Sequence, residues 1–434
     1  MKVLIIGSAG REHVLAWKIK QSPLVKELYC APGNGGIESV ATCVDIQIHE
    51  TPKLLSFAKE KKIDLVVVGP EAPLVAGITD VFEKAGLMVF GPSAAAAQLE
   101  GSKVFAKEFM HKCNIPTAKF QTFDNPEKAK EFLKEVEFPV VVKADGLASG
   151  KGVMICKDAK EANKSVNDIM KEKIFKEAGN KIVIEECLAG EEVSILAVCD
   201  GENFLIFESA QDHKRIFDDD LGPNTGGMGA YSPSPIIDEE RLKTIKARII
   251  EPTIRGMKRL GMPFKGILYA GLMITEEGPM VLEYNVRFGD PEAQAVLPRL
   301  ENDLVPVMIA ACEERLDEAE LKWSPKACIS VVMSSGGYPG EFKTGYEITG
   351  LDAVAGQADT FVFHAGTKKQ GDKILTNGGR VLAVTCLAKG IANAIDKVYG
   401  VIEKIKFEHC FFRRDIGAKA LIHLEDEPKA ISHR

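Results

Sequence analysis

The first hundred residues constrain the architecture more tightly than any other part of the chain. Four short runs, "KVLIIG" (2–7), "LYCAPGN" (28–34), "DLVVVGPE" (64–71) and "MVFGPS" (88–93), each break at Gly or Pro, with helical stretches such as "EHVLAWKIK" between them. Runs that are apolar at nearly every position suit strands buried on both faces, as in a parallel sheet wound with helices. In such sheets ligands bind at the carboxyl ends of the strands. The loops "GSAGREH", "APGNGG" and "GPEAPL" all fall at such ends, so they are expected to share one pocket.

The pattern changes near Gly101-Ser102. "KVFAKEFMHKC" predicts a helix, and "FPVVVKADGLASGKGVMIC" predicts strand, loop, strand. "KIVIEECL", "EEVSILAVCD" and "NFLIFESA" read as further strands, and "GILYAGLMIT" with "PMVLEYNVRF" as a hairpin turning at "EEGP". After "LKWSPKA" come more strands with Gly-rich connections and a helix, "IANAIDKVYGVIEKI". The expected fold class is therefore mixed α/β and α+β. A parallel βαβ, Rossmann-like domain spans 1–102, an antiparallel core spans 103–324 with a flap subdomain at about 119–190, and a small α+β domain spans 325–434. A chain of 434 residues suits about three domains.

Composition narrows the partners. A net charge of −7 gives no bulk attraction to nucleic acid or anionic membrane. No stretch approaches the ~18 uninterrupted apolar residues of a membrane span. The opening "MKVLIIGSAG" ends in a glycine loop and reads as a buried strand rather than a signal peptide. Ten Cys without a C-x-x-C fit small core residues in a reduced cytoplasm, not a zinc site. A cytoplasmic, monomeric, monofunctional chain with small-molecule substrates is expected.

"VVKADGLASGKGV" (141–153) looks at first like a P-loop. However, only three residues separate Gly146 from Gly150, Lys151 is followed by Gly152 rather than Ser or Thr, and an apolar strand follows instead of a helix. A glycine-rich loop between two strands is a flap. Lys143 closes the first strand, where it can reach a phosphate oxygen, and the small residues around Gly150 and Lys151 let the backbone approach phosphates closely. Glu185 and Glu186 in "IEECL" lie on a strand whose backbone can pair with an adenine edge, and Glu192 can accept ribose hydroxyls.

In "GSAGREH", Gly10, Arg11, Glu12 and His13 open a helix after a strand, an arrangement that presents amides and the helix dipole to an anion. The second Gly is displaced from G-x-G-x-x-G, which favours a phosphate-bearing substrate over a dinucleotide. Gly33, Asn34, Pro70 and Glu71 extend the same pocket. In "MVLEYNVRFGDPE", Glu283 and Asn285 alternate on one strand face, a donor pair suited to Mg²⁺ or Mn²⁺. Arg287 lies on that face again, placed to stabilise a transferring phosphoryl group or a carboxylate. Asp290 follows it as a substrate contact.

"QDHKRIFDDDLGPNTGGMGAYSP" (211–233) supplies a charged cluster, in which Asp212, Lys214 and Arg215 are read as catalytic beside Arg287 and His213 as a substrate contact. The glycine-rich Asn224, Thr225, Gly226 and Gly227 can cradle an anion. Taken singly, each motif could be a surface loop, a hairpin or an edge strand. The specific signal is their order along one chain.

"KADGLASGKGV", "DHKR", "GPNTGGMGAYSP", "YAGLMIT", "RFGDPE" and "TNGGRVLAVT" together resemble the glycinamide ribonucleotide synthetase family of ATP-grasp ligases, and the resemblance covers the whole chain. It implies an N-terminal substrate domain, an ATP-grasp core with a mobile flap, and a small C-terminal domain. It also implies ATP between flap and core, with Lys103 and Lys143 on phosphates, Glu186 and Leu188 at the adenine, and Glu283 and Asn285 on magnesium. The implied reaction joins glycine to 5-phosphoribosylamine through glycyl phosphate in purine synthesis. The chain departs from the family pattern in carrying Ser8 and Ala9 inside the first loop, and Asp219 where glycine is expected. A related carboxylase is disfavoured by "DHKR" and "GPNTGGMGAYSP", a dehydrogenase by the displaced glycine, and a non-catalytic nucleotide sensor by the joint presence of Lys143, Glu283, Asn285 and Arg287.

Overall fold

The computed structural model describes residues 1–148 and 152–426. Its N-terminal sheet is parallel, in the spatial order Thr42–Cys43, Glu27–Pro32, Lys2–Gly7, Leu65–Val68, Met88–Phe90. Val3, Leu4, Ile5 and Ile6 are wholly buried, as expected for a strand covered on both faces. The strand order reverses beside Lys2–Gly7, so the loops after Gly7 and Val68 flank the point where such sheets bind ligands.

The loop after Gly7 is built around Glu12. Its Oε2 accepts the amides of Ser8 and Ala9 at 3.1 and 2.6 Å, capping the helix Gly10–Lys20 from within. Gly7 has φ +134°, and a Cβ on Gly7 or Gly69 would collide with the Glu12 side chain. Glycine at both positions is what lets a carboxylate lie between two strand ends.

The middle of the chain forms two antiparallel sheets. One runs Phe204–Ile206, Glu191–Asp200, Lys265–Thr275, Gly278–Asn285. Its last two strands form the expected hairpin, Thr275 pairing with Gly278. The other sheet runs Phe120–Phe123, Ile182–Glu186, Val140–Ala144, Val153–Cys156 and carries the flap connection between its last two strands.

The hairpin holds an irregularity that the alternation of its sequence does not announce. Gly271 pairs with Glu283 but Leu272 pairs with Val281, so Leu282 is an extra, bulged residue. Its carbonyl turns to accept Lys143 Nζ at 3.1 Å, an example of a bulge that re-aims backbone beside a site.

The last sheet contains Thr360–His364, Arg380–Ala388 and Ala327–Ser335, backed by the helix Ile391–Ile402. Two strands from the middle of the chain, Gly229–Ser232 and Gln211–Asp212, extend the same sheet. In the hairpin between them Asp219 adopts φ +57°, the left-handed conformation that glycine takes at no cost and Asp tolerates.

A polar staple joins the sheets. Asn34 Nδ2 donates to the carbonyls of Ser8 and His364, each at 2.8 Å, and the His364 amide donates to His13 Nδ1 at 2.7 Å. Burial first, then the nearby His364, push the His13 pKa down to about 3, which leaves the imidazole neutral.

Candidate active site

One cleft of about 530 Å³ opens where the N-terminal sheet, the flap sheet, the hairpin and the C-terminal sheet meet. Lys103 and Lys143 line its flap side, with Glu185, Glu186 and Leu188 along the adjoining strand and Glu192 beyond. Gly150 and Lys151 lie outside the described residues. Lys103 Nζ donates to Gly146 O at 3.0 Å, which ties the helix Lys103–Lys112 to the base of the flap. Glu186 is exposed and its Oε1 accepts the Lys119 amide at 2.9 Å.

Glu185 has a different surrounding from the one its sequence context suggested. It is buried, and its carboxylate sits between Lys107, at 2.5 Å, and Lys143. Burial alone would raise its pKa, but the two ammonium groups hold it below the ordinary carboxylate value. The same desolvation pushes Lys107 down to about 8. Glu185 therefore aims Lys143 from below.

Across the cleft, Glu283 and Asn285 project from one strand face as expected. Burial pushes the Glu283 carboxyl up, yet Lys214, Lys143, Lys103 and Arg287 outweigh it and hold the pKa low. Among the described residues no hydrogen bond or ion pair engages this carboxylate. An ionised, unpartnered carboxylate beside an amide oxygen fits a hard cation that takes one or two protein ligands.

Arg287 Nη2 donates to Asn285 Oδ1 and to Glu100 Oε1, both at 2.9 Å, and its Nε donates to Glu71 Oε2 at 3.3 Å. Burial raises Glu100 to about 7 against the pull of Arg287. Asp212, Lys214, Asn224, Thr225, Gly226 and Asp290 line the next part of the wall. Lys214 pairs with Glu192 at 2.6 Å. Among the described residues Asp212 Oδ1 is buried without a partner, and burial together with the nearby Glu292 raises its pKa well above the usual carboxylate range. Glu292 Oε1 accepts the hydroxyls of Ser194 and Tyr269 at 3.0 and 2.8 Å.

Several expected residues are not brought to the cleft. Arg215 turns away, its Nη1 donating to Gly222 O at 2.6 Å, because the strand alternates and Lys214 takes the inward side. Gly227 lies behind the wall, its amide bonded to Thr225 Oγ1 at 2.9 Å. His213 is wholly buried against Tyr231. In the N-terminal loops Arg11, Pro70 and Glu71 line the cleft, whereas Gly10, Glu12, His13, Gly33 and Asn34 do not. Glu12, His13 and Asn34 use their polar atoms to shape the loop and the staple, and Gly10 and Gly33 make room for Gln294 and Cys43.

Sequence reasoning missed Glu100, Lys107, Tyr269, Glu292, Tyr338 and Arg380, all of which line the cleft. Arg380 donates to Gly226 O at 2.6 Å and to Asp290 O at 2.5 Å, and Tyr338 Oη accepts the Gly226 amide at 3.0 Å. Three of the missed residues, Tyr269, Glu292 and Arg380, stand within quoted motifs, "YAGLMIT", "RFGDPE" and "TNGGRVLAVT".

A cleft between a strand–loop–strand flap sheet and a core hairpin, with lysines on one side and an acid–amide pair on the other, is the arrangement of an ATP-grasp enzyme. The chain matches the phosphoribosylglycinamide synthetase N domain over residues 1–100, the ATP-grasp (A) domain over 101–293 and the C domain over 328–419. It is 50% identical over 427 residues to the phosphoribosylamine–glycine ligase of Escherichia coli (strain K12), spanning 97% of this chain and 99% of that protein. It is 49% identical over 418 residues to the enzyme of the same name from Caldanaerobacter subterraneus subsp. tengcongensis, spanning 96% and 100%. Among solved structures, a phosphoribosylamine–glycine ligase from Thermotoga maritima has a TM-score of 0.84 at 34% identity, covering 96% of this chain and 100% of that one. The biotin carboxylase domain of Hydrogenobacter thermophilus 2-oxoglutarate carboxylase shares the fold alone, with a TM-score of 0.72 at 17% identity, covering 95% and 91%. The chain belongs to the phosphoribosylglycinamide synthetase family.

Proposed function

We propose that the cleft joins glycine to 5-phosphoribosylamine, forming glycinamide ribonucleotide, ADP and phosphate by way of glycyl phosphate. The chain is an ATP-dependent carbon–nitrogen ligase of purine biosynthesis. The observation that carries the reading is the meeting of two sets of residues in one space. Lys103, Lys143 and Arg287 form the phosphate-handling set, and Arg11, Glu71 and Asp290 lie at the mouth of the N-terminal sheet.

A glycine carboxylate is a poor acyl donor because oxide is a very poor leaving group. Phosphorylation of one carboxylate oxygen supplies a good one. Lys103, Lys143 and Arg287 neutralise the charge that spreads over the transferring phosphoryl oxygens, and they do so more strongly in a partly dry cleft than in water. Most of the remaining contribution is positioning: the cleft holds the acyl carbon and the attacking amine together, and the flap excludes water from the acyl phosphate. Glu186 and Leu188 are assigned to the adenine and Glu192 to the ribose. Arg11, Glu71, Asp290 and the 224–226 segment are assigned to the phosphoribosylamine and glycine side.

Glu283, with Asn285 beside it, would hold magnesium or manganese, which when bound would supply charge neutralisation at the nucleotide phosphates. We assign domain limits of 1–102, 103–324 and 325–434, and a cytoplasmic monomer. No helix among the described residues is long and apolar enough to cross a membrane.

The decisive experiment follows oxygen. Glycine carrying heavy oxygen in its carboxylate should transfer one labelled oxygen to inorganic phosphate, with ADP as the nucleotide product. Unlabelled phosphate, or AMP with pyrophosphate, would overturn the acyl-phosphate route.

A further inference from the structure

Arg287 is the cleft cation best placed to follow a transferring phosphoryl group, and it is already heavily engaged. A guanidinium has five N–H donors. Four hydrogen bonds occupy them here: Nε to Glu71, Nη1 to Phe288 O at 3.2 Å, and Nη2 to both Glu100 and Asn285. Among the described residues, one N–H on Nη1 is left for a ligand.

The two carboxylates are unlike. Glu100 is anchored twice, since its Oε2 also accepts the Val286 amide at 2.7 Å, on the strand end that carries Arg287. Its side chain is 9% exposed. Glu71 opens the helix Glu71–Val75 at the end of the strand Leu65–Val68, is 27% exposed, and makes the longest of the four bonds at 3.3 Å. It faces the same part of the cleft as Arg11, which exerts a second attraction on its carboxylate. Two helices near the N-terminal sheet, Glu71–Val75 and Gln98–Gly101, therefore send one loose and one firm contact to the arginine just past the core hairpin.

We infer that Glu100 is a positioning residue that fixes the Arg287 guanidinium, and that Glu71 is a latch which lets go of Nε when the amine substrate enters the N-terminal pocket. The inference rests on the ligase reading above. The incoming sugar phosphate competes for Arg11 and for the space beside Glu71, so the loosest bond yields first. Release gives Arg287 a second free donor for the phosphoryl oxygens, while Glu100 keeps the guanidinium plane in place. Acyl phosphate then forms quickly only when its acceptor is present, which limits its loss to water.

The test is glycine-dependent ADP release by the full-length protein, with and without phosphoribosylamine made freshly from ribose 5-phosphate and ammonia. In the native protein the amine should raise the rate at least tenfold. In Glu71→Gln, which keeps the shape but loosens the grip on Nε, release without the amine should rise at least fivefold and the stimulation should shrink accordingly. Glu100→Gln should lower kcat at least tenfold with KM for ATP and glycine within threefold, and should keep the stimulation. If Glu100→Gln does not fold, as judged by circular dichroism and thermal unfolding, Glu100→Asp replaces it with the same expectation for kcat. A native protein whose ADP release ignores the amine, a Glu71→Gln with native stimulation, or a Glu100 variant with native kcat would each overturn the inference. Absence of glycine-dependent ADP release under both conditions would instead overturn the ligase reading.

Discussion

Lys107 and Glu185 meet at 2.5 Å with side chains 3% and 2% exposed, and Lys143 closes on the other oxygen of the same carboxylate. Removing one partner of a buried ion pair leaves an uncompensated charge and costs about 3–5 kcal/mol. Glu185→Leu strands two ammonium groups and should approach that cost in urea unfolding. Lys107→Met leaves Glu185 paired with Lys143 and should cost less. The reverse order would show that the carboxylate is not the hub of the three. Lys143→Met should also reduce turnover by roughly 100-fold or more, the scale for losing one preorganised charge stabiliser.

Glu283→Gln keeps the shape of the side chain and removes its charge. The surrounding Lys103, Lys143, Lys214 and Arg287 then face the metal position with less to offset them. A magnesium titration of turnover should shift to higher concentration by at least tenfold. An unchanged titration in a folded variant would move the metal elsewhere.

Arg11 bonds Glu12 at 2.6 Å through Nε and Phe288 O at 3.2 Å through Nη1, and it lines the cleft. Arg11→Ala should raise KM for phosphoribosylamine at least tenfold while leaving the ATP dissociation constant within threefold. Glu12 retains two backbone amides, so the loop should survive. Lost ATP binding with normal use of the amine would assign the two ends of the cleft the other way round.

His213 should make the fold acid-sensitive. Burial first, then the nearby Arg413, push its pKa down to about 4, below the ordinary 6.5. The unfolded chain therefore takes up a proton below about 6.5 that the folded chain refuses, so stability falls as pH drops from 6.5 toward 4. At pH 5 the loss is roughly 2 kcal/mol for this one group. His213→Phe keeps a ring against Tyr231 and removes the titration. The difference in unfolding free energy between pH 7.5 and 5.0 should shrink by about that amount relative to the native chain, and an unchanged difference would place the acid sensitivity in other groups.

Reading the chain alone identified the elements whose signal is local. Residues 3–6 and Leu65–Val68 are apolar at every position, and Thr275–Gly278 carries its own turn chemistry. Glu283 and Asn285 were visible because period two places both on one face. What escaped is carried by distance along the chain. Glu100 and Arg287 are 187 residues apart, and Arg380 and Asp290 are 90 apart, so no periodicity links them. Glu12, His13 and Asn34 are polar residues in a loop of the right kind, but only the fold shows that a carboxylate there caps amides and an imidazole accepts one. Arg215 follows Lys214 in the sequence, and the alternation of the strand sends one in and the other out.

The joining of Gly229–Ser232 to Ala327–Ser335 has a consequence for anyone who would shuffle pieces of this chain among its relatives. A graft made at the apparent seam near residue 325 would set a foreign sheet against a native edge, leaving amides and carbonyls of 229–232 matched to a surface they did not grow with. An unsatisfied strand edge is a template for clumping. A chimera that carries 211–232 along with the C-terminal piece keeps the edge and its partner of common origin, and that crossover should remain soluble where the simpler one does not.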